Sequence, residues 1–193
     1  MTGQTILIIR HAEKPEPGGD GGVDIAGIPD AKSLTPRGWQ RAGAWVQLFA
    51  PALLAQRSVL PTPSSIFASA PLDKREIERD DRGSRSRRPL DTVVSLASKI
   101  GVRIDQTFSK GQEVALAAAI SSLHGVVLVC WQHESIVTIA NALTPTPRGI
   151  PTEWPDDRFN VIFRFDRSSD ASAWIFQQIV PVMLDGDSAR EIS

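Results

Sequence analysis

The chain has 193 residues, 41% hydrophobic and 22% charged, which suits one compact domain with a real core. Its formal charge of -1, with both signs scattered, excludes a global basic field for nucleic acid or an anionic membrane, so any anion site must be local. The single cysteine, Cys130, excludes an intramolecular disulfide and a thiol cluster for zinc, and fits a reducing compartment.

The first element is "TILII", residues 5–9, β-branched and apolar on both faces, as in an inner strand covered by helices on two sides. No basic stretch precedes this run, and it is too short for a leader's apolar region or a membrane span; a soluble cytoplasmic protein is the expectation. The strand ends on Arg10-His11-Ala12-Glu13 and gives way to a loop rich in Gly, Pro and Asp, residues 14–30. The glycines between 18 and 22 lack the Lys-Ser/Thr of a P-loop and the G-x-G-x-x-G spacing, so a flexible rim is expected there.

A helix follows in "LTPRGWQRAGAWVQLFAPALL", with Thr35 as N-cap, Pro36 at the first helical position, and Ala42, Val46, Phe49 and Leu53 on one stripe. The "SIFAS" stretch, within residues 64–69, is a weaker strand candidate. Residues 73–88, "DKREIERDDRGSRSRR", carry charge without an apolar stripe and read as a loop with at most a frayed helical turn. "RPLDTVVSLASKIG" is a helix with Pro89 near its start and Gly101 as its stop, and "EVALAAAISSL" is a shorter one. "GVVLVCW", residues 125–131, is the second strong inner strand, followed by a short helix in "ESIVTIANAL". "FNVIFRF" and "AWIFQQIV", on either side of a polar "DRSSD" turn, suggest a hairpin at a sheet edge. Alternating strands and helices predict a single α/β domain over 1–193, with a mainly parallel central sheet between two helical layers.

In open α/β sheets, ligands sit beyond the carboxyl ends of the strands. Two of the three histidines stand there: His11 after the first strand, beside Arg10, and His133 after "GVVLVCW". His124 lies in a helix-to-strand turn and reads as solvated. Two histidines without patterned Asp or Cys make a poor ligand set, so neither a metal nor another cofactor is expected. A guanidinium binds phosphate oxygens through a rigid fork and stays charged, which makes Arg10 an anion clamp. Positive charge beside His11 favours neutral imidazole, the nucleophilic form. Of the five tryptophans, Trp39, Trp45, Trp131 and Trp174 fall on helices and strands as core residues, while Trp154, in a loop, is a candidate for contact with substrate.

These residues resemble a known family, the histidine phosphatases, which include the phosphoglycerate mutases. "RHAEKP" is similar to the family's Arg-His-Gly signature with Ala12 in place of Gly, and "LTPRGWQRA" to its second block. "SRRPLDTVVSLA" resembles the segment that supplies a second arginine, and "VVLVCWQHESI" the strand and loop that carry the second histidine. The resemblance, which covers residues 5 to about 140, implies a phosphoglycerate mutase-like fold. It implies His11 as the nucleophile that becomes phosphohistidine, with Arg10, Arg88 and His133 on the phosphoryl oxygens. Among Lys74, Arg75, Arg79, Arg82, Arg85, Arg87 and Arg88, the choice falls on Arg88, because Thr92 stands four residues on and Pro89 starts a helix behind it.

The leaving alkoxide needs a proton. Glu134 is the preferred donor, since it follows the second histidine as in the acid-phosphatase branch. Glu13, on the same loop as Arg10 and also a candidate substrate contact, and Glu113, in the region where mutase-like members place their acid, are the alternatives. The resulting expectation is a metal-independent phosphomonoester hydrolase acting on a small phosphorylated metabolite. The alternatives are a mutase, a protein phosphohistidine phosphatase, or an anion-binding regulatory domain without turnover.

Overall fold

The computed structural model describes residues 3–51, 60–80, 83–144, 149–168 and 173–193. In chain order the elements are β1 (Gln4–Arg10), α1 (Pro36–Phe49), β2 (Ser65–Ala68), α2 (Lys74–Asp80), α3 (Arg88–Ile100), β3 (Ile104–Asp105), α4 (Glu113–Ser121), β4 (Gly125–Trp131), α5 (His133–Leu143), β5 (Ile162–Arg167) and β6 (Ile175–Ile179). The strands form one sheet in the order β3-β2-β4-β1-β5-β6. β1 runs parallel to β4, with Ile6 opposite Val127 and Arg10 opposite Trp131, and β2 extends the parallel part beyond β4. β5 alone runs against its neighbours, and it forms with β6 the edge hairpin expected from the sequence.

The unbroken apolar character of β1 and β4 follows from their place between two helical layers, because successive side chains point to opposite faces. Ile6, Ile8, Val127, Val129 and Trp131 pack with Leu116 and Ile120 of α4 and Ile136 and Ile139 of α5. Leu7, Ile9, Leu128 and Cys130 pack on the other face with Trp45, Val46 and Phe49 of α1 and Val93 and Leu96 of α3. The α/β class with a mainly parallel sheet and helices on both faces is therefore the observed architecture. No helix among the described residues is long and apolar enough to cross a membrane.

Local signals set the helix ends. The Thr35 hydroxyl accepts from the Gly38 amide at 3.1 Å, and Pro36 stands in the first turn, as expected for α1. The helix ends at Phe49, and Leu53 lies outside the described residues. Gly101 closes α3 in the left-handed conformation, φ 69°. The charged stretch after residue 73, read as a loop, instead begins with the seven-residue α2. A reciprocal capping box starts it: the Glu76 amide donates to Asp73 Oδ1 at 2.8 Å, and the Asp73 amide to Glu76 Oε2 at 2.7 Å. The two-residue β3 is too short to carry a periodic signal. The rim loop carries backbone pairing in its second half: Val23 bridges both Pro29 and Leu34, and a Cβ on Gly22 would stand 2.2 Å from the Asp30 carbonyl oxygen.

One close approach positions the strand-end motif. A Cβ on Gly38 would lie 2.7 Å from the Glu13 carbonyl oxygen and 3.2 Å from its amide nitrogen, so the first turn of α1 packs directly on the backbone after His11. Gly38→Ala is expected to destabilise the protein by about 1–3 kcal/mol, the usual range for overpacking a filled site. Urea unfolding checks this, and an unchanged midpoint would show that the loop yields freely.

Candidate active site

β1 and β4 end at the same edge of the sheet, and the ladder continues one step further, with the His11 amide donating to the Trp131 carbonyl at 3.0 Å. The His11 ring is buried, and its Nδ1 lies 2.8 Å from the Ala12 carbonyl oxygen. A carbonyl can only accept, so Nδ1 carries the proton and Nε2 the lone pair. Burial, then the charge of Arg10, push the pKa of this imidazole down to about 3; Arg88 and His133 act in the same direction, against the Ala12 hydrogen bond. At physiological pH the group is a neutral imidazole of fixed tautomer, the state a nucleophile requires.

Arg10 is fully buried. Its Nη1 donates to the carbonyls of Pro155 (3.0 Å), Asp156 (2.8 Å) and Arg158 (3.3 Å), and the guanidinium lies 3.9 Å from the centroid of the Phe159 ring. Nη2 is 3.4 Å from His133 Nδ1, and Nε has no hydrogen-bond partner among the described residues. Burial lowers the pKa of the group to about 10, with Asp156 and Glu134 acting the other way, and it stays cationic. A buried charged donor left unpaired is costly, and an anion oxygen at this edge would satisfy it.

Arg88 is the first residue of α3. Its Nη2 donates to the Ala31 carbonyl at 2.8 Å and its Nε to that of Ser33 at 3.3 Å, which ties the guanidinium to the rim loop. The Thr92 hydroxyl donates to the Arg88 carbonyl at 2.7 Å and accepts from the Ala12 amide at 2.9 Å, lacing α3 to the residue after His11. Lys74, Arg75, Arg79, Arg85 and Arg87 are exposed, and Arg82 lies outside the described residues. Arg88 is the cation of this segment whose field lowers the His11 pKa.

His133 opens α5, with its ring centroid 6.4 Å from that of His11 and the two planes at 81°. Its Nε2 is 2.5 Å from Asp156 Oδ1, and its Nδ1 is 3.1 Å from Glu134 Oε2. Burial, then Arg10, hold its pKa below the ordinary value, although Glu134 and Asp156 oppose the shift. The arrangement joins one nucleophilic nitrogen to two guanidinium groups and a second imidazole, a set suited to a tetrahedral anion. Among the described residues, no group of three or more His, Cys, Asp or Glu could hold a metal ion.

No family model and no curated protein matches this chain. Solved structures do. One is a mycobacterial glucosyl-3-phosphoglycerate phosphatase in complex with VO3, 15% identical, covering 91% of this chain and 97% of its own, with a TM-score of 0.49. Another, described as mycobacterial hydrolase 2, is 14% identical and covers 100% of this chain and 94% of its own, also with a TM-score of 0.49. At that level of likeness, the function of this chain has to be argued from its own side chains.

The three carboxylates singled out in the sequence have different surroundings. Glu134 is half-exposed beside His133, with Oε1 2.5 Å from Lys110 Nζ. Burial alone would raise its pKa, but the Lys110 hydrogen bond and its own backbone amide outweigh that and hold it below the ordinary carboxylate range. Glu13 is engaged by Arg41, with both oxygens within 3.0 Å of Nε, and by Arg37 at 3.4 Å. Glu113 is buried, where Oε1 accepts from the Trp131 indole at 2.9 Å and the Gly111 amide at 3.0 Å. Trp154, a candidate substrate contact, is instead a core residue packed against Phe163, 4.8 Å between centroids with the rings tilted by 46°. Two neighbours of these side chains escaped the sequence reading. Phe159 under Arg10 and Asp156 on His133 both lie between α5 and β5, and "PTEWPDDRF" carries no signal beyond that of a turn.

Proposed function

We propose that this chain is a phosphomonoester hydrolase of the histidine phosphatase type, working without a metal on a small phosphorylated metabolite. The observation that carries the reading is the state of His11: a buried, neutral imidazole with Nδ1 committed to a backbone carbonyl, next to a buried arginine whose Nε is unpaired. In this reading His11 Nε2 attacks phosphorus while the ester oxygen leaves, giving phosphohistidine, and water then cleaves the N–P bond. Arg10, Arg88 and His133 hold the equatorial oxygens, and the start of α5 adds backbone donors. Positioning and charge stabilisation are most of what phosphoryl transfer asks of a protein. The agreement of four sequence blocks with the family pattern supports the same assignment. Hydrolysis is favoured over a mutase reaction because the first loop, residues 14–33, offers only Lys14 and Lys32 as cations for a substrate carboxylate.

The test is chemical trapping. Incubation with a labelled aryl phosphate in EDTA, followed by a denaturing quench, is expected to leave label on His11 that survives alkali and is lost in acid, together with release of inorganic phosphate. Release of phosphate without a protein-bound intermediate would argue for direct attack by water, and inhibition by EDTA would argue for a metal.

A further inference from the structure

Taking His11 as the phosphoryl acceptor, which rests on the reading above, we propose that Asp156 is the group that protonates the leaving oxygen and then activates water against the phosphohistidine. A residue with both tasks must stand at the mouth of the site, next to the groups that hold the phosphoryl oxygens, with a carboxyl group able to exchange protons. Glu13 and Glu113 fail on the last point, one locked on Arg41 and the other buried against an indole and an amide. Glu134 faces His133 but is held as an anion by Lys110.

Asp156 meets the three conditions. Its carboxylate reaches His133 Nε2 at 2.5 Å while the side chain remains 82% exposed, and its partner there is an imidazole rather than a lysine or arginine. Its backbone is fixed from several directions: Arg10 Nη1 binds the carbonyls of residues 155, 156 and 158, and the buried Trp154 donates its indole N–H to the Arg158 carbonyl at 2.7 Å. A rigid backbone with a solvent-facing side chain lets the carboxyl group move between His133 and a bound ester by rotation about its own bonds. In the resting protein the carboxylate uses the same imidazole donor that a phosphoryl oxygen would take. A phosphoryl oxygen that takes the His133 donor displaces the carboxyl group and frees it to turn towards the leaving oxygen.

The steps balance. As the His11 Nε2–P bond forms, the P–O bond to the leaving group breaks and its electron pair takes the Asp156 proton, releasing the alcohol. Asp156 carboxylate then removes a proton from water as the water oxygen bonds to phosphorus. The N–P bond breaks, inorganic phosphate departs, and both Asp156 and the His11 lone pair are restored.

The experiment compares kcat/KM, which reports P–O cleavage, for wild type, Asp156→Asn and Glu134→Gln with p-nitrophenyl phosphate and phenyl phosphate. The first leaving group departs readily without a proton and the second does not. For Asp156→Asn, phenyl phosphate is expected to lose about 100-fold or more, the ordinary worth of a general acid, and p-nitrophenyl phosphate less than about 10-fold. Glu134→Gln is expected to change both esters by a similar, small factor. A flat profile for Asp156→Asn in a protein whose wild type turns over both esters overturns this proposal alone. So does the leaving-group dependence appearing in Glu134→Gln instead. A wild type inert towards both esters overturns the phosphatase reading as well.

Discussion

Replacing His11 by alanine is expected to cut phosphate-ester turnover by about 10⁴-fold or more, because the variant lacks the Nε2 atom proposed to form the N–P bond. His133 is a poor substitute: its Nε2 is on Asp156 and its Nδ1 faces Arg10 and Glu134. The loss reports chemistry rather than unfolding, since the His11 amide keeps its bond to the Trp131 carbonyl and the Ala12 amide its bond to Thr92. The same variant has a second signature. The imidazole titrates at about 3 in the fold against an ordinary value of 6.5, so between those limits the unfolded chain binds a proton that the folded chain refuses. The native state therefore carries no penalty from His11 above pH 6.5, and it loses stability as pH falls from there towards 3. His11→Ala removes that term, and its urea midpoint is expected to fall less than that of wild type between pH 7 and pH 4.5. Turnover within tenfold of wild type would remove His11 from the mechanism, and parallel pH profiles of stability would show that the ring is not buried as a neutral group.

His11, Arg10 and the residues gathered round them were legible because they are written locally. Arg10 and His11 follow four apolar residues, His133 stands two positions beyond the seven-residue neighbouring inner strand, and Arg88 stands one helical turn before Thr92. Strand ends of one parallel sheet necessarily meet at one edge, so two such endings imply a shared site. The choice of partner at long range is not written that way. Glu13 and Glu113 look like free acids in the chain, yet Glu13 meets an arginine 28 positions on, and Glu113 turns inwards to an indole 18 positions on. Asp156 reaches His133 from a separate loop, and no local pattern marks that residue. The helix α2 was hidden by its lack of an apolar face, although the Asp73-x-x-Glu76 capping box that starts it was present in the sequence.

Arg41 is where a single substitution is expected to cost most stability. The residue is 1% exposed and grips two carboxylates at once. Nε and Nη2 bind Glu13 Oε1 at 2.9 and 2.7 Å, and Nη1 and Nη2 bind Asp187 Oδ2 and Oδ1 at 3.0 and 2.8 Å. Asp187 also accepts the Met183 and Leu184 amides at 3.0 Å, so the network fastens the chain end to the backbone after His11. Burial draws the pKa of Arg41 down, but Asp187 and Glu13 more than offset this and leave it raised. For Asp187, burial works upwards and is outweighed by Arg41 and the two amides, so its carboxyl is held low. Arg41→Ala leaves the buried Asp187 carboxylate without its guanidinium and Glu13 with only the more exposed Arg37, and is expected to cost about 3–5 kcal/mol in urea unfolding, the range for breaking one side of a buried ion pair. If uncompensated charge is the cause, Glu13→Gln and Asp187→Asn should restore part of that stability in the Arg41→Met background, although each lowers it alone. A loss below about 1 kcal/mol in Arg41→Ala would place the pair among hydrated surface bridges. The seating of the loop behind His11 would then rest on the contact between Gly38 and Glu13 instead.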